Sequence, residues 1–240
     1  MDPGSFALIA AVVFVGSALQ GSIGFGAGMV AAPVIALVEP ELLPALVVMF
    51  ACLLALMVTL RERAHLDLGG AAWALVGRLP GSALGALLVL VLPVTALSWV
   101  VVASVVVGVG SAFLGWRPAP TRTALVTAGA LSGIMGTSTS IGGAPMAIVW
   151  QGQEPSRLRG TMSAFFLVGS ITSVLLLAAV GSVTWHAVQV VLWLIPAVAA
   201  GFLLSRRLNR WLDAERLRLA GLVLALGGAG LLVVRLLLEM

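Results

Sequence analysis

Residues 130–145 read A-L-S-G-I-M-G-T-S-T-S-I-G-G-A-P, and residues 18–33 read A-L-Q-G-S-I-G-F-G-A-G-M-V-A-A-P. At a constant offset of 112, Ala18, Leu19, Gly21, Gly24, Ala32 and Pro33 match Ala130, Leu131, Gly133, Gly136, Ala144 and Pro145. In both places an apolar segment is interrupted by small residues that weaken a helix. Paired interruptions in corresponding parts of two halves point to a binding site in a repeat-built membrane carrier.

Composition sets the solvent. The chain is 61% hydrophobic with a mean hydropathy of +1.17, and only 9% of its residues are charged. A soluble domain carries about 25% charged residues. Apolar stretches long enough to cross a bilayer recur from end to end. The pI near 11.3 suggests nucleic acid at first sight. All 13 basic residues are arginines, however, and they sit between apolar segments rather than on one basic face, so nucleic acid is not expected as a partner. The lone Cys52 excludes an intrachain disulfide and is read as a packing residue. The start M-D-P-G-S-F lacks a basic leader, so no cleaved signal peptide is expected.

Eight apolar segments follow: 5–38 (broken), 42–60, 69–92, 94–115, 123–150 (broken), 158–180, 184–205 and 217–238. The only linker between halves is W-R-P-A-P-T-R at 116–122, where prolines stop the helix. The expected organisation is a first repeat over 1–116, a linker over 117–122 and a second repeat over 123–240. Trp99, Trp116, Trp150, Trp185 and Trp211 lie near segment ends, as an interfacial belt requires. The arginines constrain the topology. If all eight segments cross, the loops at 61–68 and 116–122 fall opposite those at 151–158 and 206–216, which splits the positive charge. If 123–150 enters and returns on one side, all four arginine-bearing loops share a face. The loops near 39–41, 93 and 181–183 carry no arginine. Segment 123–150 is therefore read as a re-entrant hairpin or two half-helices, and 5–38 likewise by symmetry, with a kinked spanning helix as the alternative. The fold class is an all-α polytopic membrane protein of two inverted repeats. Each repeat holds a broken or re-entrant helix pair plus three transmembrane helices.

Non-helical backbone at membrane depth is tolerated where it is buried in protein or lines a wet cavity. Helix N-termini there offer free N–H groups and a partial positive charge, which suits an anion. Gly21, Gly24, Gly26 and Gly28 in the first stretch, and Gly133, Gly136, Gly142 and Gly143 in the second, allow close backbone approach. Thr137, Ser138, Thr139 and Ser140 add four consecutive hydroxyls, and Gln20 and Ser22 are their counterparts in the first stretch. Pro33 and Pro145 restrict the return limbs. The competing reading is that these glycines only permit tight helix packing. The alignment of two clusters, one beside a hydroxyl run, favours the site.

One charge falls inside an expected span. Arg78 is about 12 Å along segment 69–92, taking 1.5 Å per residue. Two readings are open: it faces a ligand, or it snorkels to the headgroups. Asp67, Glu39, Glu41 and Glu154 all lie at segment edges, so no carboxylate relay is visible, and His65 and His186 are at segment ends. No cofactor or metal is expected.

At these residues the chain resembles the TauE/SafE sulfite-exporter family of membrane permeases. Gly24-Phe25-Gly26 matches the family's G-F-G element, which adds Phe25 to the candidate site. Gly142-Gly143-Ala144-Pro145, followed by R-G-T-M-S-A-F-F at 159–166, resembles the family's G-G-P-P and R-x-T-x-x-x-F-F, with Ala144 in place of the usual first proline. The resemblance implies a secondary transporter for a small sulfur-containing anion, such as sulfite or an organosulfonate, in the bacterial inner membrane. The residues alone imply a small anionic solute bound mid-membrane, with alternating access between repeats. Proton or ion coupling and homo-oligomerisation stay open. The alternative is a non-transporting membrane subunit of a larger complex. An intramembrane serine protease is disfavoured, because both histidines are far in sequence from Ser138.

Overall fold

The computed structural model describes residues 1–113, 118–211 and 213–238; Trp116 and Arg117 of the expected linker lie outside the described residues. All regular structure among the described residues is helical. The first half holds α1 (Pro3–Ile23), α2 (Ala27–Val38), α3 (Ala45–Arg61), α4 (Leu68–Val91) and α5 (Val94–Phe113). The second holds α6 (Arg122–Ser138), α7 (Gly143–Trp150), α8 (Pro155–Ala179), α9 (Trp185–Trp211) and α10 (Ala214–Leu238). Helices α1, α4, α5, α8, α9 and α10 are long and apolar enough to cross a membrane. Single-turn 3₁₀ helices lie at Pro40–Leu42 and Arg63–His65.

Local chemistry sets the ends. Asp2 caps α1 by accepting from the Gly4 and Ser5 N–H groups at 2.8 and 3.0 Å. Asp67 does the same for α4, Thr121 for α6 and Glu154 for α8. Both segments break, the first at 24–26 on Gly24 and Gly26, the second at 139–142 after the hydroxyl run, beyond Gly133 and Gly136, which stay inside α6. The limbs are unequal, which corrects the picture of paired half-helices. Helix α1 has 21 residues, about 31 Å, and α2 has 12, about 18 Å. Helix α6 has 17 residues and α7 only 8. The reason is local: nothing before Gly24 leaves helical geometry, and Gly24 then ends α1 at φ +91°.

Packing depends on bare backbone. Along α4, Gly77, Gly81 and Gly85 meet the carbonyls of Val126, Ala130 and Ile134 of α6, where an added Cβ would lie 1.9–2.6 Å from oxygen. The residue numbers rise together, so α4 and α6 run parallel. Gly201 of α9 meets Phe14 O of α1, and Ser205 meets Gly21, so these two also run parallel. Helix α4 packs most extensively on α6, and α1 on α9, while α3 packs on α8. Exchanging the two halves turns the first pairing into the second and leaves the third unchanged.

The interior is apolar and divided. One cluster lies between α1, α3 and α9 around Phe50 and Leu46. A second joins α2, α5 and α10, and a third joins α4, α6, α7 and α8. Trp150 belongs to that third cluster, 1% exposed and edge-on to Phe165, which corrects its expected place in an interfacial belt. Its short helix α7 is folded inward by the break, so the segment end is not a surface. Trp185 and Trp211 are exposed, as a belt requires. So are Leu87, Val106, Leu175 and Val223 on the outer faces, where lipid would cover them.

Candidate functional site

The two breaks approach each other from opposite ends of α3. At one end the Arg61 Nη2 donates to Gly21 O near the end of α1. At the other, Ser140 Oγ donates to Pro44 O at 3.1 Å. Between them the breaks touch: a Cβ on Gly28 would lie 1.9 Å from Ser140 O, and one on Gly143 would lie 2.9 Å from the Phe25 Cβ. Ser140 itself holds a left-handed φ of 64° to make the turn.

A small cavity of about 50 Å³ lies at this junction. Gln20, Phe25, Gly26 and Gly28 line it from the first break, and Gly136, Ser140, Gly142 and Gly143 from the second, with Arg78 at one side. Gly26 is the N-cap of α2 and Gly142 that of α7, and neither position supplies a side-chain cap. Their first-turn N–H groups therefore have no side-chain acceptor of the usual kind. One of them, on Ala27, is taken at 3.3 Å by Gln20 Oε1, which leaves the Gln20 amide N–H₂ as that side chain's free polar end.

Arg78 does not snorkel. It is 3% exposed and turned across to α6. Its Nη1 donates to Ser132 O at 3.0 Å and to Ser132 Oγ at 2.7 Å. Ser132 Oγ in turn donates to Gly142 O at 2.6 Å, which ties the arginine to the second break. The Phe165 and Phe166 rings lie 5.0 and 5.6 Å from Cζ, a cation–π contact worth about 2 kcal/mol when desolvated. Gly169 leaves the room for this: its Cβ would sit 1.8 Å from Arg78 Nε. That Nε is buried without a partner. The ion pairs among the described residues are Arg61–Glu62, Arg159–Glu62, Arg157–Asp67 and Arg216–Asp213, so no carboxylate neutralises Arg78. A buried cation without a counter-ion is costly, and it favours any anion that enters.

The remaining candidates fall elsewhere. Gly21 packs on Ser205 and Gly24 on Arg159. Gly133 packs on the Arg78 backbone, and Pro33 faces Gly228 of α10. Ser22 bonds its own helix at Ala18 O. Pro145 is in the first turn of α7 and does not line the cavity. Three of the four hydroxyls are turned away. Thr137 Oγ1 pairs with Ser173 Oγ at 2.7 Å, Ser138 Oγ donates to Ile134 O, and Thr139 Oγ1 donates to Met135 O. Ser138 and Thr139 sit at the end of α6, where hydroxyls fold back on carbonyls four residues earlier, and Thr137 is held by α8 through Ser173. Only Ser140, past the helix end, lines the cavity. No motif in the sequence marks Ser132, Gly169, Ser170, Met29, Val48 or Ala51, which the structure brings to the junction. Phe165 and Phe166 were visible only as part of the R-x-T-x-x-x-F-F resemblance.

The family model of the sulfite exporter TauE/SafE matches residues 8–232. The chain belongs to the TauE/SafE family. It is thus an integral membrane transporter rather than an enzyme, with a small anionic substrate. No curated protein and no solved structure matches it. For a TauE/SafE transporter, the absence of a counter-ion beside Arg78 is the feature of the junction that bears most directly on an anion.

Proposed function

We propose that this TauE/SafE chain is a secondary permease of the bacterial inner membrane that carries sulfite or a similarly small sulfur oxyanion. Arg78, the Gln20 amide and the first-turn N–H groups of α2 and α7 hold the anion between the two breaks. The halves are inverted repeats that rock about this site and give alternating access; the exchangeable pairings α4–α6 and α1–α9 support that reading. The observation that carries the proposal is the buried, acid-free guanidinium facing a cavity framed by two uncapped helix starts.

Size favours the smaller substrates. A water needs about 10–15 Å³ of such space, so about 50 Å³ holds a handful of waters or one compact oxyanion. An organosulfonate with a carbon chain would have to extend beyond this cavity. The test is uptake of ³⁵S-sulfite into proteoliposomes of the purified chain, with and without a pH gradient. Saturable uptake that Arg78→Gln abolishes is expected. No uptake above empty liposomes under either condition would sink the permease reading.

A further inference from the structure

A second and larger cavity, about 420 Å³, adjoins the central one. Ser111, Gln151, Arg159 and Arg218 contribute to its walls, and it lies at the arginine-bearing ends of α5, α8 and α10. The two cavities have two lining residues in common, Phe25 and Met29. These apolar side chains stand between a pocket that holds an arginine without a counter-ion and a vestibule whose walls carry Arg159, paired with Glu62, Arg218, which donates to Ala112 O, and Glu215.

The backbone around Phe25 is built for rotation. Gly24 and Gly26 flank it at φ +91° and +111°, a region open to glycine and closed to most residues. Gly143 leaves room for the ring on one side. On the other, Gly24 rests against Arg159, where a Cβ would come 3.1 Å from the Arg159 Cα. Arg159 is fixed by Glu62 at 3.2 Å. Glu62 also pairs with Arg61, which bonds Gly21 O and Ser205 Oγ. One end of the pivot is thereby anchored, while Phe25 carries no bond of its own to hold it. Met29 lies four residues on, at the start of α2, and its unbranched thioether can repack as the ring moves.

We propose that Phe25 and Met29 form the gate between the central anion pocket and the vestibule on the arginine-rich face, with Phe25 turning on Gly24 and Gly26. This inference rests on the permease reading above. The physical basis is that a hydrated anion crosses an apolar constriction only at the cost of its water, so two large apolar side chains are a barrier that rotation removes. Arg159 and Arg218 gather anions outside that barrier, and Arg78 receives them inside it.

Thiol labelling tests the gate without requiring transport. In Cys52→Ala protein in liposomes, Ser170→Cys reports the central pocket and Ser111→Cys the vestibule. The probe is a negatively charged methanethiosulfonate applied to the arginine-rich face. With the gate intact, Ser111→Cys should react about tenfold faster or more than Ser170→Cys. Adding Phe25→Ala and Met29→Ala together should raise the Ser170→Cys rate by about tenfold and leave Ser111→Cys unchanged. Phe25→Leu, which keeps an apolar side chain, should give a smaller rise and guards against misfolding of the double variant. Equal rates at the two positions with Phe25 and Met29 present, or no change in folded variants, would overturn the gate. Labelling as expected with no sulfite uptake in any buffer overturns the permease reading instead and leaves a gated cavity.

Discussion

In the proposed site, anion binding rests on Arg78. Its charge is buried, its Nη1 is fixed by Ser132, and two rings hold the guanidinium plane. Charge-assisted hydrogen bonds contribute about 1.5–3 kcal/mol each, so Arg78→Gln should weaken sulfite binding by more than about tenfold. Arg78→Lys should restore it only in part, because an ammonium lacks the planar fork that meets two oxygens and keeps one contact to Ser132. Calorimetric titration of detergent-solubilised variants with sulfite measures both. Full rescue by lysine would mean that charge alone suffices. The hydroxyl run makes the opposite prediction. Thr137→Ala, Ser138→Ala and Thr139→Ala together remove bonds to Ser173, Ile134 O and Met135 O, none of which faces the cavity. Stability should fall by about 0.5–1.5 kcal/mol for the lost Thr137–Ser173 bond. Sulfite affinity should change far less than in Arg78→Gln. A comparable loss of affinity would show that these hydroxyls reach the ligand during the cycle.

At the scale of elements, the site exists because two helix starts are pressed together. Helices α2 and α7 begin without side-chain caps, and the chain before each must turn sharply. Gly28 permits the approach: a methyl group there would lie 1.9 Å from Ser140 O and 2.8 Å from its carbonyl carbon. The neighbour is backbone, which cannot yield as a flexible side chain does. Overpacking of this kind costs about 1–3 kcal/mol or more. Gly28→Ala should therefore lower the thermal unfolding midpoint in detergent and reduce sulfite binding together. Gly110→Ala, where a Cβ meets nothing within 4 Å, is the matched control and should alter neither. A Gly28→Ala protein with wild-type melting and binding would mean that the two breaks do not touch in solution.

For the whole molecule, the arginine distribution and the helix pairings support one proposed topology. With both broken pairs entering and returning on their own side, the 61–68, 151–158 and 206–216 loops share the cytoplasmic face, and the chain ends lie outside. Exposed single cysteines in a Cys52→Ala background check this. Arg122→Cys and Glu154→Cys should react with an impermeant maleimide from the same side, and Glu41→Cys from the other. Labelling of residues 122 and 154 from opposite sides would make 123–150 a kinked span. Composition and the length of the apolar runs already place the chain in a bilayer as helices, and the paired small-residue stretches mark which two segments are broken. Unbroken apolar runs of this length satisfy their backbone in lipid as helices, and the first break falls on Gly24 and Gly26, whose left-handed φ stops α1, whereas the glycines inside α4, α6 and α10 do not end those helices. The resemblance at 142–145 and 159–166 also reached the family. Which small residues face a solute and which face another helix was decided by the tertiary structure. These helices are apolar nearly all round, so periodicity does not reveal their buried side. Gly133 and Gly136 lie on one helix, yet one packs on the α4 backbone and the other opens on the cavity. Ser132 and Gly169 became part of the Arg78 site only because α6 and α8 cross α4 at that level, a juxtaposition set by long-range packing and carried by no local motif.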